Sequence, residues 1–126
     1  MEEGNLIYKQ EAYKIIGCCM EVHSILGKGF NEVVYKDALE IEFQKNNIPF
    51  KREVGYKISY KEFILSHYYN ADFVVYEKMI LEAKAIEELT SGNIKQTLNY
   101  LAVAKMRLAL LVNFGEDSLR YKRVVL

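Results

Sequence analysis

The chain has 126 residues, 17 Lys+Arg against 17 Asp+Glu, 51% hydrophobic and 13% aromatic residues, and one proline. That length fits one domain, 1–126, of the commonest size, and the composition supports a real core and excludes global disorder. Zero net charge excludes a histone-like, purely electrostatic nucleic-acid binder, though not a local basic patch.

No stretch approaches the ~18 consecutive apolar residues of a membrane span, so no membrane association is expected. The acidic start, Met-Glu-Glu-Gly-Asn, lacks the basic and apolar opening of a secretory leader. The only cysteines, Cys18 and Cys19, are adjacent. That spacing suits neither a relaxed disulfide nor a zinc or iron–sulfur site. Both therefore read as small helix hydrophobes in a reducing, cytoplasmic setting.

The first part of the chain reads as helices. Ile15, Ile16, Cys19, Met20, His23 and Leu26 recur at three- and four-residue steps, the spacing of one helix face. Gly27-Lys28-Gly29 stops that helix. Asn31 is an N-cap for a second helix, whose face carries Tyr35, Ala38, Leu39 and Phe43. It ends near Lys45-Asn46-Asn47, ahead of Pro49. Beyond Pro49 the period changes. Val54, Tyr56, Ile58 and Tyr60 alternate as in a half-exposed strand, with a turn at Lys61-Glu62. Phe63 to Tyr69 reads as a second strand with Asn70 near its end. Phe73–Tyr76 and Met79–Leu81 read as strands covered on both faces. Thr90-Ser91-Gly92 opens a third helix carrying Ile94, Leu98, Leu101 and Ala102. Leu108–Val112 and Leu119–Leu126 follow as strands around the loop Asn113–Asp117. This order predicts an α/β fold with a central mixed sheet of about five strands flanked by helices. Strands Leu81–Ala85 and Leu108–Val112 would be joined by a right-handed parallel crossover through the third helix.

The most informative residues are charges inside apolar strands. Asp72 precedes Phe73-Val74-Val75, and Glu82 and Lys84 follow Met79-Ile80-Leu81. Glu82 and Lys84, two apart, share a face. Asp72 joins them only if a three-residue turn, Tyr76-Glu77-Lys78, pairs Val75 with Met79, or a bulge has equal effect; three-residue hairpin loops commonly have a left-handed third residue. A two-residue turn would put Asp72 and Glu82 on opposite faces. In the converging register, two adjacent carboxylates favour a hard divalent cation such as Mg²⁺, and a lysine beside it can orient the attacking water or offset charge on a pentavalent phosphate. The alternative is a surface salt bridge of Lys84 with Glu82 or Asp72.

Ala71-Asp72 followed by Glu82-Ala83-Lys84 resembles the PD-(D/E)xK phosphodiesterase superfamily, without the proline usually written before the aspartate. Gln96-Thr97-Leu98-Asn99-Tyr100 resembles the Gln-x-x-x-Tyr helix of its RecB-like and lambda-exonuclease-like branch. Gly29-Phe30-Asn31-Glu32-Val33-Val34-Tyr35 is similar to the motif of the GxxExxY proteins, as are His23, Gly27 and Asn113-Phe114-Gly115. The resemblance implies a restriction-endonuclease-like three-layer fold. It implies Asp72 and Glu82 as metal ligands, joined by the Ala83 carbonyl and by Glu32, with Lys84 as the catalytic lysine. Gln96 and Tyr100, four apart on one helix face, would approach substrate phosphate or brace the lysine. Mg²⁺ or Mn²⁺ is the implied cofactor.

Plainer roles are open for several of these residues. Glu32 suits the first turn of a helix, and Tyr35 and His23 suit a core. Tyr100 suits a helix anchor, and Asn113 a turn.

Charge placement adds a weak signal. Residues 1–50 hold five Lys/Arg and eight Asp/Glu; residues 51–126 hold twelve and nine. The basic excess includes Lys51-Arg52, Lys95, Lys105, Arg107 and Arg120-Tyr121-Lys122-Arg123. The expected function is a metal-dependent nuclease hydrolysing phosphodiester bonds of DNA. The alternatives are a non-catalytic nucleic-acid- or nucleotide-binding module of the same fold, and an interaction protein whose charged cluster is a salt-bridge network. A homodimer or partner protein would dock on Tyr-rich strand residues such as Tyr56, Tyr60, Tyr68 and Tyr69.

Overall fold

Periodicity decides the first two elements. The computed structural model describes residues 6–126; the acidic segment 1–5, on which the leader expectation rests, lies outside them. Helix α1 spans Lys9–Leu26 and buries Ala12, Ile15, Cys19, Val22 and His23 on one face. Gly27 ends it as expected. Its φ of 70° is left-handed, which glycine adopts at little cost, and its N–H donates to the His23 carbonyl. Helix α2 spans Glu32–Lys45 and buries Tyr35, Leu39 and Phe43 at four-residue steps. Asn31 holds the N-cap position without a side-chain capping bond. Among the described residues no helix is long and apolar enough to cross a membrane.

Five strands form one sheet in chain order: β1 (Phe50–Tyr60), β2 (Phe63–Val75), β3 (Met79–Lys84), β4 (Leu108–Asn113) and β5 (Arg120–Val125). Helix α3 (Ser91–Ala104) crosses over between β3 and β4, which pair in parallel; every other pair is antiparallel. Thr90 and Asn93 close the start of α3 with a reciprocal capping box.

Two local expectations are corrected. Phe63–Tyr69 and Phe73–Tyr76 are not separate strands, because β1 pairs with β2 along both segments and holds them as one. Asn70 stays inside that strand, donating its amide to Glu53 Oε1 at 3.0 Å. The β2–β3 turn has its left-handed residues at Tyr76 (φ 57°) and Glu77 (φ 60°), not at Lys78. The Lys78 N–H donates to the Val75 carbonyl, which closes the turn over those two residues and leaves Lys78 as the extra one. The register nonetheless pairs Val75 with Met79.

The result is the expected α/β, restriction-endonuclease-like sandwich. Helices α1 and α2 pack on Phe73, Val75, Met79, Leu81, Leu108, Leu110 and Val112. Helix α3 covers Val74, Ile80, Ala109, Leu111 and Val124 on the opposite face. Every residue of β4 is buried, which explains its unbroken apolar run.

Residues two apart on a strand share a face. The β1–β2 pair breaks this rule at one level. Phe73 and Val75 point to the α1/α2 core, whereas Tyr69 and Ala71 join the α3 core. Across from them Phe50 packs with the first core and Arg52 pairs with Asp37 and Glu40 of α2, while Val54, Tyr56 and Ile58 pack with the second. The switch falls at Glu53 and Asp72, between the pairs Arg52↔Phe73 and Val54↔Ala71. Glu53 carries a φ of 58°, a left-handed kink that rotates the outer hairpin. The rotation buries Tyr69, which is 5% exposed and stacked on Tyr56 and Tyr100. Tyr69 is therefore no part of a docking surface, whereas Tyr60 and Tyr68 are exposed.

Candidate active site

The β2–β3 ladder ends at Phe73↔Leu81, so the next pair in register is Asp72 opposite Glu82. There β3 stays with β4 as far as Lys84↔Asn113, while β2 stays with β1. Side chains serve the main-chain groups left in the gap. Asp72 Oδ2 accepts the Ala83 N–H at 2.9 Å, and Glu82 Oε2 accepts the Asp72 N–H at 3.3 Å. Each acid is fastened to the other's strand, and the two carboxylates meet at one gap.

Glu82 is 5% exposed. Burial, and then the negative charge of Asp72, push its carboxyl up to about 7, against the hydrogen bonds from Tyr69 and the Asp72 N–H and the charge of Lys84. The Tyr69 hydroxyl donates to Glu82 Oε2. Burial and the charges of Glu82 and Asp72 keep that phenol protonated, far above its ordinary range. Tyr100 lies flat on Tyr69, ring centroids 3.9 Å apart and planes 11° apart. Tyr100 thus packs on the tyrosine that bonds Glu82.

Lys84 is half-buried, and among the described residues its ammonium has no hydrogen bond or ion pair. Its carbonyl accepts the Phe114 N–H at 2.7 Å. Glu32, in the first turn of α2, accepts the Ala85 N–H at 3.2 Å, just past Lys84. No group of three or more His, Cys, Asp or Glu side chains is placed to hold a metal ion among the described residues. The acids that converge are Asp72 and Glu82; Glu32 stands at the same end of β3, three residues further on at Ala85, and does not join them in a three-acid group among the described residues. Gln96 is exposed on α3 and, among the described residues, makes no side-chain hydrogen bond.

Two site residues escaped the sequence reading. Lys36, one helical turn after Glu32, donates to Asp72 Oδ1 at 3.2 Å and to Glu53 Oε2 at 2.8 Å. Burial opposes its charge, but Glu53 and Asp72 outweigh that and hold its pKa above the ordinary lysine value. The four-residue step from Glu32 was the available signal, since it places both on one helix face. Tyr69 left none, because an unbroken alternation puts it on the opposite face from Asp72.

The remaining motif residues are scaffold. The Tyr35 hydroxyl donates to the Gly27 carbonyl at 2.6 Å and accepts the Phe30 N–H, and its ring stacks on Phe114 at 4.6 Å. His23 Nε2 meets the Glu116 carbonyl at 2.9 Å. Asn113 is fully buried. Its Oδ1 accepts from the Ile86 and Gly115 amides, and its Nδ2 donates to the Ile86 carbonyl and Glu116. A Cβ on Gly115 would stand 2.3 Å from the Ile86 oxygen, so only glycine fits there. These contacts hold the start of α2 and the segment after Lys84 against the end of β4. Part of the basic excess is neutralised locally: Arg52 pairs with Asp37 and Glu40, and Arg120 with Glu116 at 3.7 Å.

The donor set suits a hard divalent ion. Glu82 Oε1 accepts no hydrogen bond from the described residues, and Asp72 Oδ1 is held by Lys36 alone. Mg²⁺ commonly takes one or two protein carboxylates and completes its shell with water and phosphate. Two acids at one gap meet that requirement without a third.

No curated protein and no solved structure matches the chain significantly. A profile of the PD-(D/E)XK nuclease superfamily matches residues 9–124, from the first residue of α1 into β5. A match of that extent, on a sheet of this topology with acids paired at its open end, shows that the chain belongs to the PD-(D/E)XK nuclease superfamily.

Proposed function

We propose that the protein is a metal-dependent nuclease that hydrolyses phosphodiester bonds of DNA with metal-activated water. The observation that carries this reading is the reciprocal fastening of Asp72 and Glu82 at the end of the β2–β3 ladder, with Lys84, unpaired among the described residues, near enough for its charge to act on Glu82. Asp72 and Glu82 would hold Mg²⁺ or Mn²⁺. A strand residue sends its N–H and C=O out of the same edge, so the Ala83 carbonyl faces the same gap and would join them. Glu32 would add acidic charge from α2. When bound, the ion supplies Lewis-acid polarisation of the phosphate and a more acidic water. Lys84 would orient that water or offset charge on the pentavalent phosphate. Tyr69 holds the Glu82 carboxylate in one orientation, and Tyr100 fixes Tyr69. Gln96, exposed one turn before Tyr100, is free to meet substrate phosphate.

Zero net charge implies weak nucleic-acid binding by this chain alone. A partner protein or a second copy would supply grip, and the exposed hairpin residues Tyr60, Phe63, Ile64 and Tyr68 offer it a surface.

One observation favours a second reading, a nucleic-acid- or nucleotide-binding module that does not cut. Among the described residues only two acids converge, and a lysine already holds one of them. The test is cleavage of single-stranded DNA, double-stranded DNA and RNA with Mg²⁺ and with Mn²⁺, beside Lys84→Ala. The nuclease reading expects metal-dependent cleavage that Lys84→Ala abolishes while the fold is kept. Full activity in that variant would refute the mechanism. Tight binding with no cleavage under any condition would establish the module.

A further inference from the structure

We propose that Lys36 is an exchangeable counter-ion of the acidic gap, shifting to Glu53 when a divalent cation takes Asp72, so that Lys36 and Glu53 together set the metal affinity. The inference rests on the reading of Asp72 and Glu82 as metal ligands and adds a control element to it.

Lys36 is unlike the surface lysines. Its side chain is 15% exposed and sits between two acids, 3.2 Å from Asp72 Oδ1 and 2.8 Å from Glu53 Oε2. Asp72 needs a counter-ion when no metal is bound, because a second acid, Glu82, shares its gap. Buried like charges are costly without one. Lys36 meets that need, which lets the open end of the sheet persist without metal.

The same pair makes the lysine a competitor. A divalent cation reaching Asp72 Oδ1 meets an ammonium already hydrogen-bonded to that atom, and two cations within a few ångströms repel in a poorly screened site. Exchange is feasible only if Lys36 has somewhere else to go. Glu53 is that place. Its Oε2 is already the nearer partner, and its Oε1 is anchored by the Asn70 amide at 3.0 Å. The left-handed φ of 58° at Glu53 belongs to the kink that turns this side chain toward α2. The lysine can therefore release Asp72 by tightening an existing contact. It is a positioning residue, not a catalytic one.

The test is Mn²⁺ binding to the purified protein without nucleic acid, by titration calorimetry or by the paramagnetic resonance of free Mn²⁺. The comparison is wild type, Lys36→Met, Glu53→Gln and Asp72→Asn. Methionine keeps the packed stem of Lys36 and removes only the charge. Lys36→Met is expected to bind Mn²⁺ roughly ten-fold more tightly. It should melt lower than wild type without metal and gain more on adding Mn²⁺. Glu53→Gln, on a more exposed side chain, is expected to bind several-fold more weakly, because Lys36 is then held by Asp72 alone. A merely structural pair of ion bridges would lower both melting temperatures without moving the two affinities in opposite directions.

Unchanged or weaker binding in Lys36→Met, or tighter binding in Glu53→Gln, would overturn the inference while leaving the ligand assignment standing, provided Asp72→Asn abolishes binding. If Lys36→Met does not fold, the sign of the Glu53→Gln change decides alone. Asp72→Asn binding like wild type would remove the ligand assignment itself and the inference with it.

Discussion

Replacing Asn113 with alanine tests the claim that the Asn-Phe-Gly motif is scaffold for Lys84. The change removes four hydrogen bonds at once: from the Ile86 and Gly115 amides, and to the Ile86 carbonyl and Glu116. Three are neutral, worth ~0.5–1.5 kcal/mol each, and the one to a carboxylate is worth ~1.5–3 kcal/mol. Ile86 and Gly115 are half-buried, so water recovers part of this, and the lower half of the sum applies. The expected loss is ~3–5 kcal/mol, a large share of a typical domain stability of ~5–15 kcal/mol. At ~4 °C per kcal/mol for a chain of this size, Tm should fall by ~12–20 °C. Urea unfolding followed by far-ultraviolet circular dichroism measures it, with Asn99→Ala on the exposed side of α3 as a control expected within ~0.5 kcal/mol of wild type. Hydrogen exchange should quicken first at the Ile86 and Gly115 amides, the groups that lose their acceptor. A loss under ~1 kcal/mol, or protection unchanged at those amides, would refute the scaffold assignment.

Three further outcomes are expected. Gly115→Ala places a Cβ 2.3 Å from the Ile86 oxygen and 2.6 Å from its nitrogen, so the backbone after Lys84 must move. It should cost ~1–3 kcal/mol in urea melts and lower any cleavage along with it. Thr90→Ala removes the α3 capping box and should cost ~1 kcal/mol, with metal binding at Asp72 unaffected. Burial pushes the Cys18 thiol up to about 11 and the Cys19 thiol higher still, so little thiolate exists near neutrality. Disulfide-exchange reagents at pH 7.5 should label the native protein much more slowly than free cysteine; two thiols titrating at once without denaturant would contradict the burial.

The architecture was legible where one periodicity dominated. Tyr35, Leu39 and Phe43 fall on one helix face whatever else happens, and the all-apolar β4 has no other home than the middle of a covered sheet. Gly27 and Thr90 marked helix ends because their chemistry serves those positions alone. The Asp72–Glu82 pairing followed from a register that the turn had to permit, and Val75↔Met79 supplied it. The residues around the acids were another matter. Tyr69 reaches Glu82 only because Glu53 and Asp72 interrupt the alternation of two strands together, and no residue type announces a left-handed glutamate. Lys36 stands beside Asp72 only after α2 docks on the sheet, a contact between elements 36 residues apart in sequence. Local pattern carries neither kind of information. In the opposite direction, Tyr35 and Asn113 belong to motifs associated with function yet spend their hydrogen bonds on backbone, with one more from Asn113 to the Glu116 carboxylate.

The kink at Glu53 and Asp72 has a mechanical side. Beyond it β1 and β2 continue as a ribbon, with β3 no longer beside them, as far as the turn before Phe63. At the rise of a strand, the stretch from Tyr68 to Phe63, past the residues buried under α3, is an arm of about 17 Å. Its tip carries Tyr60, Phe63, Ile64 and Leu65 in the open, and its root is clamped where Tyr69 and Ala71 pack under α3. Two-stranded ribbons twist more readily than wide sheets. A load on the tip is therefore met first by the packing of Tyr69 and Ala71 under α3, which shields the acid at the kink from whatever grips the hairpin.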